Sequence, residues 1–167
     1  MEIVMIALKI VEVKPFMAKL LIQNIFDEFL LSEFTMNTFA RFQINGKLNQ
    51  EYFSNEEIET MGDRTYSKWK EVKPFALSIV KGNKTPLSFH ITLMLTKKQI
   101  AQVLQTSGVM MSPEEISGLY FHIKYESSTL QIITGTGLKT FTLDKTLEHA
   151  WDEQVKDFIK KHEILYL

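Results

Sequence analysis

Four histidines and no cysteine set the limits of the chemistry open to this chain. Without a thiolate there is no disulfide framework, no Cys-based zinc site, no iron–sulfur cluster and no cysteine nucleophile. His149 stands four residues before Glu153, and Glu148 likewise stands four before Asp152. A carboxylate beside an imidazole orients the ring and raises its basicity, which suits a general base or a metal ligand. No second histidine follows at i+4, so the segment is expected to be a solvated helix face carrying i,i+4 charge pairs. His90 and His122 fall on the polar side of alternating segments. They would meet across a sheet face if their strands were neighbours, forming a metal or acid–base pair, although exposed strand histidines without such a role are commoner. No catalytic residue, metal ligand or cofactor is assigned on this pattern.

Gly135-Thr136-Gly137-Leu138-Lys139-Thr140 has the ingredients of a phosphate loop but not the order. A P-loop needs glycine directly before the lysine and a helix directly after. Here Leu138 intervenes and Thr140–Leu143 reads as strand, so the glycines are expected to form a hairpin turn. No G-x-S-x-G elbow, calcium loop or dinucleotide fingerprint occurs.

Charge is the most informative pattern. The totals are 20 acidic against 19 basic residues, a formal charge of -1, yet the two signs are segregated. Glu51, Glu56, Glu57, Glu59 and Asp63 occur with no base between them. Directly after come Arg64, Lys68, Lys70, Lys73, Lys81 and Lys84 against Glu71 alone, interleaved with Tyr66, Trp69 and Phe75. Cations with rings between them suit a polyanion, since the cations neutralise phosphates and the rings stack bases. Arg64, Lys68, Trp69, Lys70, Lys81 and Lys84 are therefore the candidate binding residues. The competing expectation is that the two stretches pair with each other or face solvent, with Trp69 in the core.

The elements that must position these groups follow from periodicity. Glu2–Val11 reads as a buried strand and Pro15 opens a short amphipathic helix. Glu28–Thr35, Thr38–Ile44 and Lys47–Phe53 read as strands, the last two joined by an Asn45-Gly46 hairpin turn. Ser54-Asn55-Glu56-Glu57 is a capping box. Arg64–Val72 is expected to be a short helix or irregular, stopped at Lys73-Pro74. Phe75–Lys81 and Leu87–Leu95 read as strands, and Thr96 caps a helix whose stripe is Ile100, Val103 and Leu104, stopped by Gly108. Ser112-Pro113-Glu114-Glu115 is a helix-start signature. Strands follow at Leu119–Tyr125, Thr129–Thr134 and Leu138–Leu143, then a helix from Lys145 to His162.

The composition, 45% hydrophobic and 23% charged over 167 residues, is that of an ordinary globular chain. The N-terminal apolar run is too short for a span and lacks a basic flank, so a cytoplasmic location is expected and no membrane contact. One domain, 1–167, is expected, with pseudo-repeat halves at about 1–74 and 75–167. The fold class is α+β: two β-α-β-β-β-like halves forming a mixed, mostly antiparallel sheet with helices on one side, plus a C-terminal helix.

That element order is similar to the duplicated unit of the DNA sliding-clamp fold. Trp69–Phe75, Lys84–Phe89, Leu138–Lys145 and Leu147–Glu153 resemble segments of an uncharacterised bacterial family of small single-domain proteins, a likeness that implies no activity. The reading that results is a non-catalytic binding or interaction domain contacting an anionic partner, nucleic acid or acidic protein, with oligomers open through sheet edges. The alternative is a small metal-dependent or acid–base hydrolase using His149 with Asp152 or Glu153.

Overall fold

The computed structural model describes residues 2–80 and 84–167, the side chains of residues 2–5 excepted. Strands β1 (Glu2–Lys9), β2 (Leu30–Asn37), β3 (Arg41–Asn45), β4 (Ser88–Met94), β5 (Ile116–Glu126) and β6 (Thr129–Leu138) form one sheet in the order β1-β6-β5-β4-β2-β3. Every pairing is antiparallel and the sheet is open. The helices are α1 (Val13–Leu21), α2 (Asn55–Met61), α3 (Trp69–Val80), α4 (Lys97–Ser107) and α5 (Thr146–Lys161). The architecture is α+β with a C-terminal helix, as the periodicity indicates. Each half contributes β-α-β-β to a single sheet, and the division at 74/75 falls inside α3.

Alternation places Phe89, Ile91 and Leu93 of β4, and Leu119, Phe121 and Ile123 of β5, on one buried face. Phe26, Phe29 and Phe158 meet Phe121 there with ring centroids 5.7–6.2 Å apart. Phe34 of β2 meets Trp69 of α3 on the same side. Trp69 is fully buried and donates its indole N–H to the Leu20 carbonyl at 2.8 Å, tying α3 to α1. The opposite face carries His90, Thr92, His122, Lys124 and Gln131, exposed or half-buried. No helix among the described residues is long and apolar enough to cross a membrane.

Local capping chemistry works as the sequence specifies. Ser54 and Glu57 close a capping box at α2, Thr96 and Gln99 close another at α4, and Gly108 ends α4 at φ 72°. The Ser112–Glu115 signature yields only a three-residue 3-10 turn.

Other expectations are overturned. Asn45-Gly46 is not a hairpin turn: β2 and β3 are joined through Thr38–Ala40, with the Thr38 amide donating to the Ala40 carbonyl. The Asn45 carboxamide instead accepts from the Lys47 amide. Gly46 is wedged against β2, its amide donating to Ser32 and its carbonyl accepting from Ser67. Lys47–Phe53 forms one bridge and a 3-10 turn, not a strand.

Lys73-Pro74 does not stop a helix and Phe75–Val80 is not a strand, because α3 runs through both; Lys81 and the loop residues 82–83 lie outside the described residues. A helix-interior proline costs about 3 kcal/mol. Trp69, Val72 and Ala76 offset it by burial, and Lys73 anchors the turn through Asp27 at 2.6 Å and the Gln23 carbonyl at 2.9 Å.

Gly135-Thr136-Gly137 is not a turn but lies within β6. The turn into β6 is Ser127-Ser128, both at positive φ (51° and 62°) between the paired residues Glu126 and Thr129.

Two substitutions test these assignments. A Cβ at Gly46 would sit 1.8 Å from the Leu31 carbonyl oxygen, so Gly46→Ala is expected to lose about 3 kcal/mol in urea unfolding. Replacing Ser127-Ser128 by Asn-Gly, the pair that favours two positive φ values, is expected to raise stability by about 1 kcal/mol in the same measurement.

Candidate functional site

The candidate binding residues have divergent fates. Trp69 is in the core and stacks on nothing external. Lys68 and Lys70 both reach Glu28, at 3.4 and 3.2 Å, and Lys73 pairs with Asp27. Arg64 forms a two-pronged contact with Glu71, at 2.6 and 3.3 Å. That contact holds the Glu71 carboxyl below its ordinary range, with the Lys68 amide adding to the effect. Glu28 is lowered in the same way, by Lys70 first. Lys84 is exposed and makes no ion pair among the described residues, while Lys81 lies outside them.

The acids that neutralise the basic segment are thus Asp27, Glu28 and Glu71. Of the 51–63 acidic stretch, Asp63 alone makes an ion pair among the described residues, and its partner is Lys97 at 3.1 Å.

Cations converge elsewhere. A cleft of about 500 Å³ opens where residues 63–66 cross the end of the sheet beside the first turn of α4. Arg64, Lys97, Lys98 and Lys139 line it, against Asp63 and Glu114. Lys98 and Lys139 are exposed and make no ion pair among the described residues. Glu114 is held below its usual range, above all by the Ser112 hydroxyl, with Lys139 and Lys97 contributing. Tyr66 and Tyr120 give the cleft aromatic walls.

Tyr120 occupies this position because β5 and β6 carry glycine around it. A Cβ at Gly118 would lie 2.6 Å from the Tyr120 ring, and one at Gly137 would lie 2.4 Å from the Ser117 hydroxyl and 3.2 Å from the same ring. Gly137 therefore serves close packing on the open face, a role that neither a phosphate loop nor a hairpin turn describes. Tyr120 stacks on His122, with centroids 6.2 Å apart and planes at 24°.

His122 in turn meets His90. Their strands pair directly, and Nε2 of His90 stands 3.1 Å from Nδ1 of His122, with the Thr92 hydroxyl 3.0 Å from the latter nitrogen. One ring donates its N–H to the lone pair of the other.

The His149 constellation does not assemble. His149 is exposed and Glu153 pairs outward with Lys156. Glu148 and Asp152 are buried, which corrects the expectation of a solvated face. The buried stripe of α5 widens by one residue on the side facing β6, so the Thr134 hydroxyl donates to Asp152 at 2.6 Å while accepting from the Ile6 amide at 3.3 Å. Both carboxyl oxygens of Glu148 and the hydroxyl of Thr136 find no partner among the described residues. These four positions line neither of the two larger clefts. A second concavity of about 480 Å³ lies between α4 and α5, floored by Phe29, Phe121, Trp151 and Phe158 and flanked by Gln102 and Gln154.

Burial raises the Asp152 carboxyl above its ordinary value, the Thr134 bond opposing it in part. A raised folded-state value means the fold prefers the protonated form. The contribution to stability is complete below about pH 4 and is lost as pH climbs through the raised value. Asp152→Asn keeps the acceptor for Thr134 and cannot ionise. It is expected to be more stable than the parent at pH 7, with the difference closing on acidification, read from thermal midpoints across pH 3–8.

No curated protein and no solved structure matches the chain. The profile of a family of unknown function, DUF5721, matches residues 19–167, nearly all of the sequence that builds the sheet, the cleft and the paired imidazoles; the chain belongs to that family.

Proposed function

We propose that the protein is a binding domain that receives an anionic partner, a phosphate-bearing strand or an acidic protein segment, in the cleft lined by Arg64, Lys97, Lys98 and Lys139. The observation that carries this reading is the convergence of four cations from separate parts of the chain on one concave surface, two of them without an acidic partner among the described residues. Lysines left unneutralised beside a cleft raise the local concentration of anions and steer them in. The aromatic walls supplied by Tyr66 and Tyr120 favour a partner that carries planar groups between its charges, and single-stranded nucleic acid is the chemistry that combines the two.

Arg64 is retained from the linear basic segment. Lys68, Lys70 and Lys73 are better explained as structural, because Glu28 and Asp27 already hold them. Lys84 stands apart from the residues that line the cleft.

Fluorescence anisotropy with labelled single-stranded and duplex oligonucleotides and an acidic peptide, across a salt series, tests the proposal. The double variant Lys98→Ala/Lys139→Ala is expected to weaken single-strand binding severalfold and to flatten the log K against log salt slope by roughly 0.7 per cation removed. Lys68→Ala serves as the control that leaves both unchanged. Absence of binding by the parent up to about 100 µM at low salt, or a slope insensitive to the double substitution, overturns the nucleic-acid version; binding of the peptide alone transfers the cleft to an acidic protein.

A further inference from the structure

We propose that His90 and His122 form a two-nitrogen chelate for a borderline divalent transition-metal ion, Cu²⁺ or Zn²⁺, on the open face of the sheet. The proposal is independent of the anionic partner. It rests on the placement of two imidazole nitrogens 3.1 Å apart on adjacent strands of a regular antiparallel ladder.

The spacing suits cis coordination. Two nitrogens at metal–nitrogen distances of about 2.05 Å and 3.1 Å from each other subtend about 98° at the ion. That angle lies between the right angle of a square-planar or octahedral site and the tetrahedral angle, so either ion is accommodated by modest rotation of the rings. Imidazole nitrogen is the matching donor for these borderline ions, and hard oxygen-seeking cations gain nothing from it. The strand register holds the pair: Thr92 faces His122 and Lys124 faces His90, and a slip of one residue would carry the rings to the core side.

The proton balance is simple. In the metal-free pair one ring donates an N–H to the other. For both inner nitrogens to ligate, the proton on the donor ring moves to its outer nitrogen through solvent. His90 then carries its N–H on Nδ1 and His122 on Nε2. Two metal–nitrogen bonds replace two metal–water bonds, no net proton is released from neutral rings, and nothing is oxidised or reduced.

The surroundings decide what kind of site results. Among the described residues no group of three or more His, Asp or Glu side chains able to hold a metal occurs, so the two imidazoles are the proposed ligands. The Thr92 hydroxyl, 3.0 Å from Nδ1 of His122, is placed to hydrogen-bond a metal-bound water. A depression of about 190 Å³ bordered by His90, Thr35, Asn37, Arg41 and Lys124 adjoins the His90 side of the pair. Lys124, which faces His90 across the ladder, is drawn off by Glu126 at 3.4 Å.

Titration calorimetry of the full chain with Zn²⁺, Cu²⁺ and Mg²⁺ alone is the test, together with imidazole ¹⁵N chemical shifts of the unsubstituted protein. One equivalent of zinc is expected to bind, copper more tightly in keeping with the Irving–Williams order, and magnesium not at all. His90→Ala and His122→Gln should each weaken zinc by at least about tenfold, since even outer-shell partners of a bound metal are worth that much. His149→Ala and His162→Ala should bind as the parent does. In the parent, zinc should shift His90 Nε2 and His122 Nδ1 together. Undiminished zinc binding by either His90→Ala or His122→Gln, or saturation of the parent with no shift at those two nitrogens, overturns the proposal, and the spectroscopic arm holds even if a variant fails to fold.

Discussion

One-sided burial of the six-stranded sheet is the constraint on which the rest depends. Helices cover one face only, so every strand must divide its side chains between a dry side and a wet one. On β4 and β5 this division is sharp, with Phe89, Ile91, Leu93, Phe121 and Ile123 against His90, Thr92, His122 and Lys124. Shifting either strand by one residue would expose a phenylalanine and bury an imidazole, so the register that gives the core its energy also fixes the distance between the two rings. The open face is therefore positioned by the core beneath it, without help from loops.

The chain's charge segregation serves construction. Asp27 and Glu28, in the connection before β2, collect Lys68, Lys70 and Lys73, while Trp69 between them is driven into the core and tied to Leu20. The two Glu28 pairs are partly or largely exposed and individually weak, the Lys73–Asp27 pair is largely sheltered, and together they tie α3 to the connection before β2. The same arrangement turns Arg64 toward the cleft, where the bidentate contact with Glu71 fixes its direction.

Much of the fold was legible because local signals and tertiary packing agreed. Strict alternation on β4 and β5, the Thr96–Gln99 box with Gly108 behind it, and the stripe Leu147, Trp151, Val155 and Ile159 all read directly. The failures share a cause: a residue whose local preference is used for a non-local purpose. Gly46 looks like half of a hairpin turn but is present because Leu31 leaves no room for a Cβ. Gly137 does the same under Tyr120 and Ser117. Pro74 says stop, yet the burial of Trp69, Val72 and Ala76 overrules it. Glu148 and Asp152 have the spacing of a solvated face, and nothing in the chain's pattern announces that Thr134 and Thr136 lie opposite them. The cleft was legible only in part, because Lys139 lies outside the basic segment in sequence and is brought to the cleft by the β5–β6 ladder, which its amide extends by donating to the Glu115 carbonyl.

The outer edge of β1 carries a consequence for how such a chain is made. β1 pairs with β6, and the Ile6 amide reaches Thr134 at a separation of 128 residues. Beyond it, Val11 donates to Leu165, Leu167 donates to Lys9, and Ile10 bridges Tyr166. β1 is therefore made well before the strand it pairs with, and its apolar run stays unpaired until β6 has emerged. Pairing so distant in sequence raises the contact order, which slows folding relative to helical proteins. During that interval the bare edges of β1 and its neighbours are open to other chains, and residues 165–167, half-buried or exposed in the finished fold, cover the far end of β1 only once they too are made.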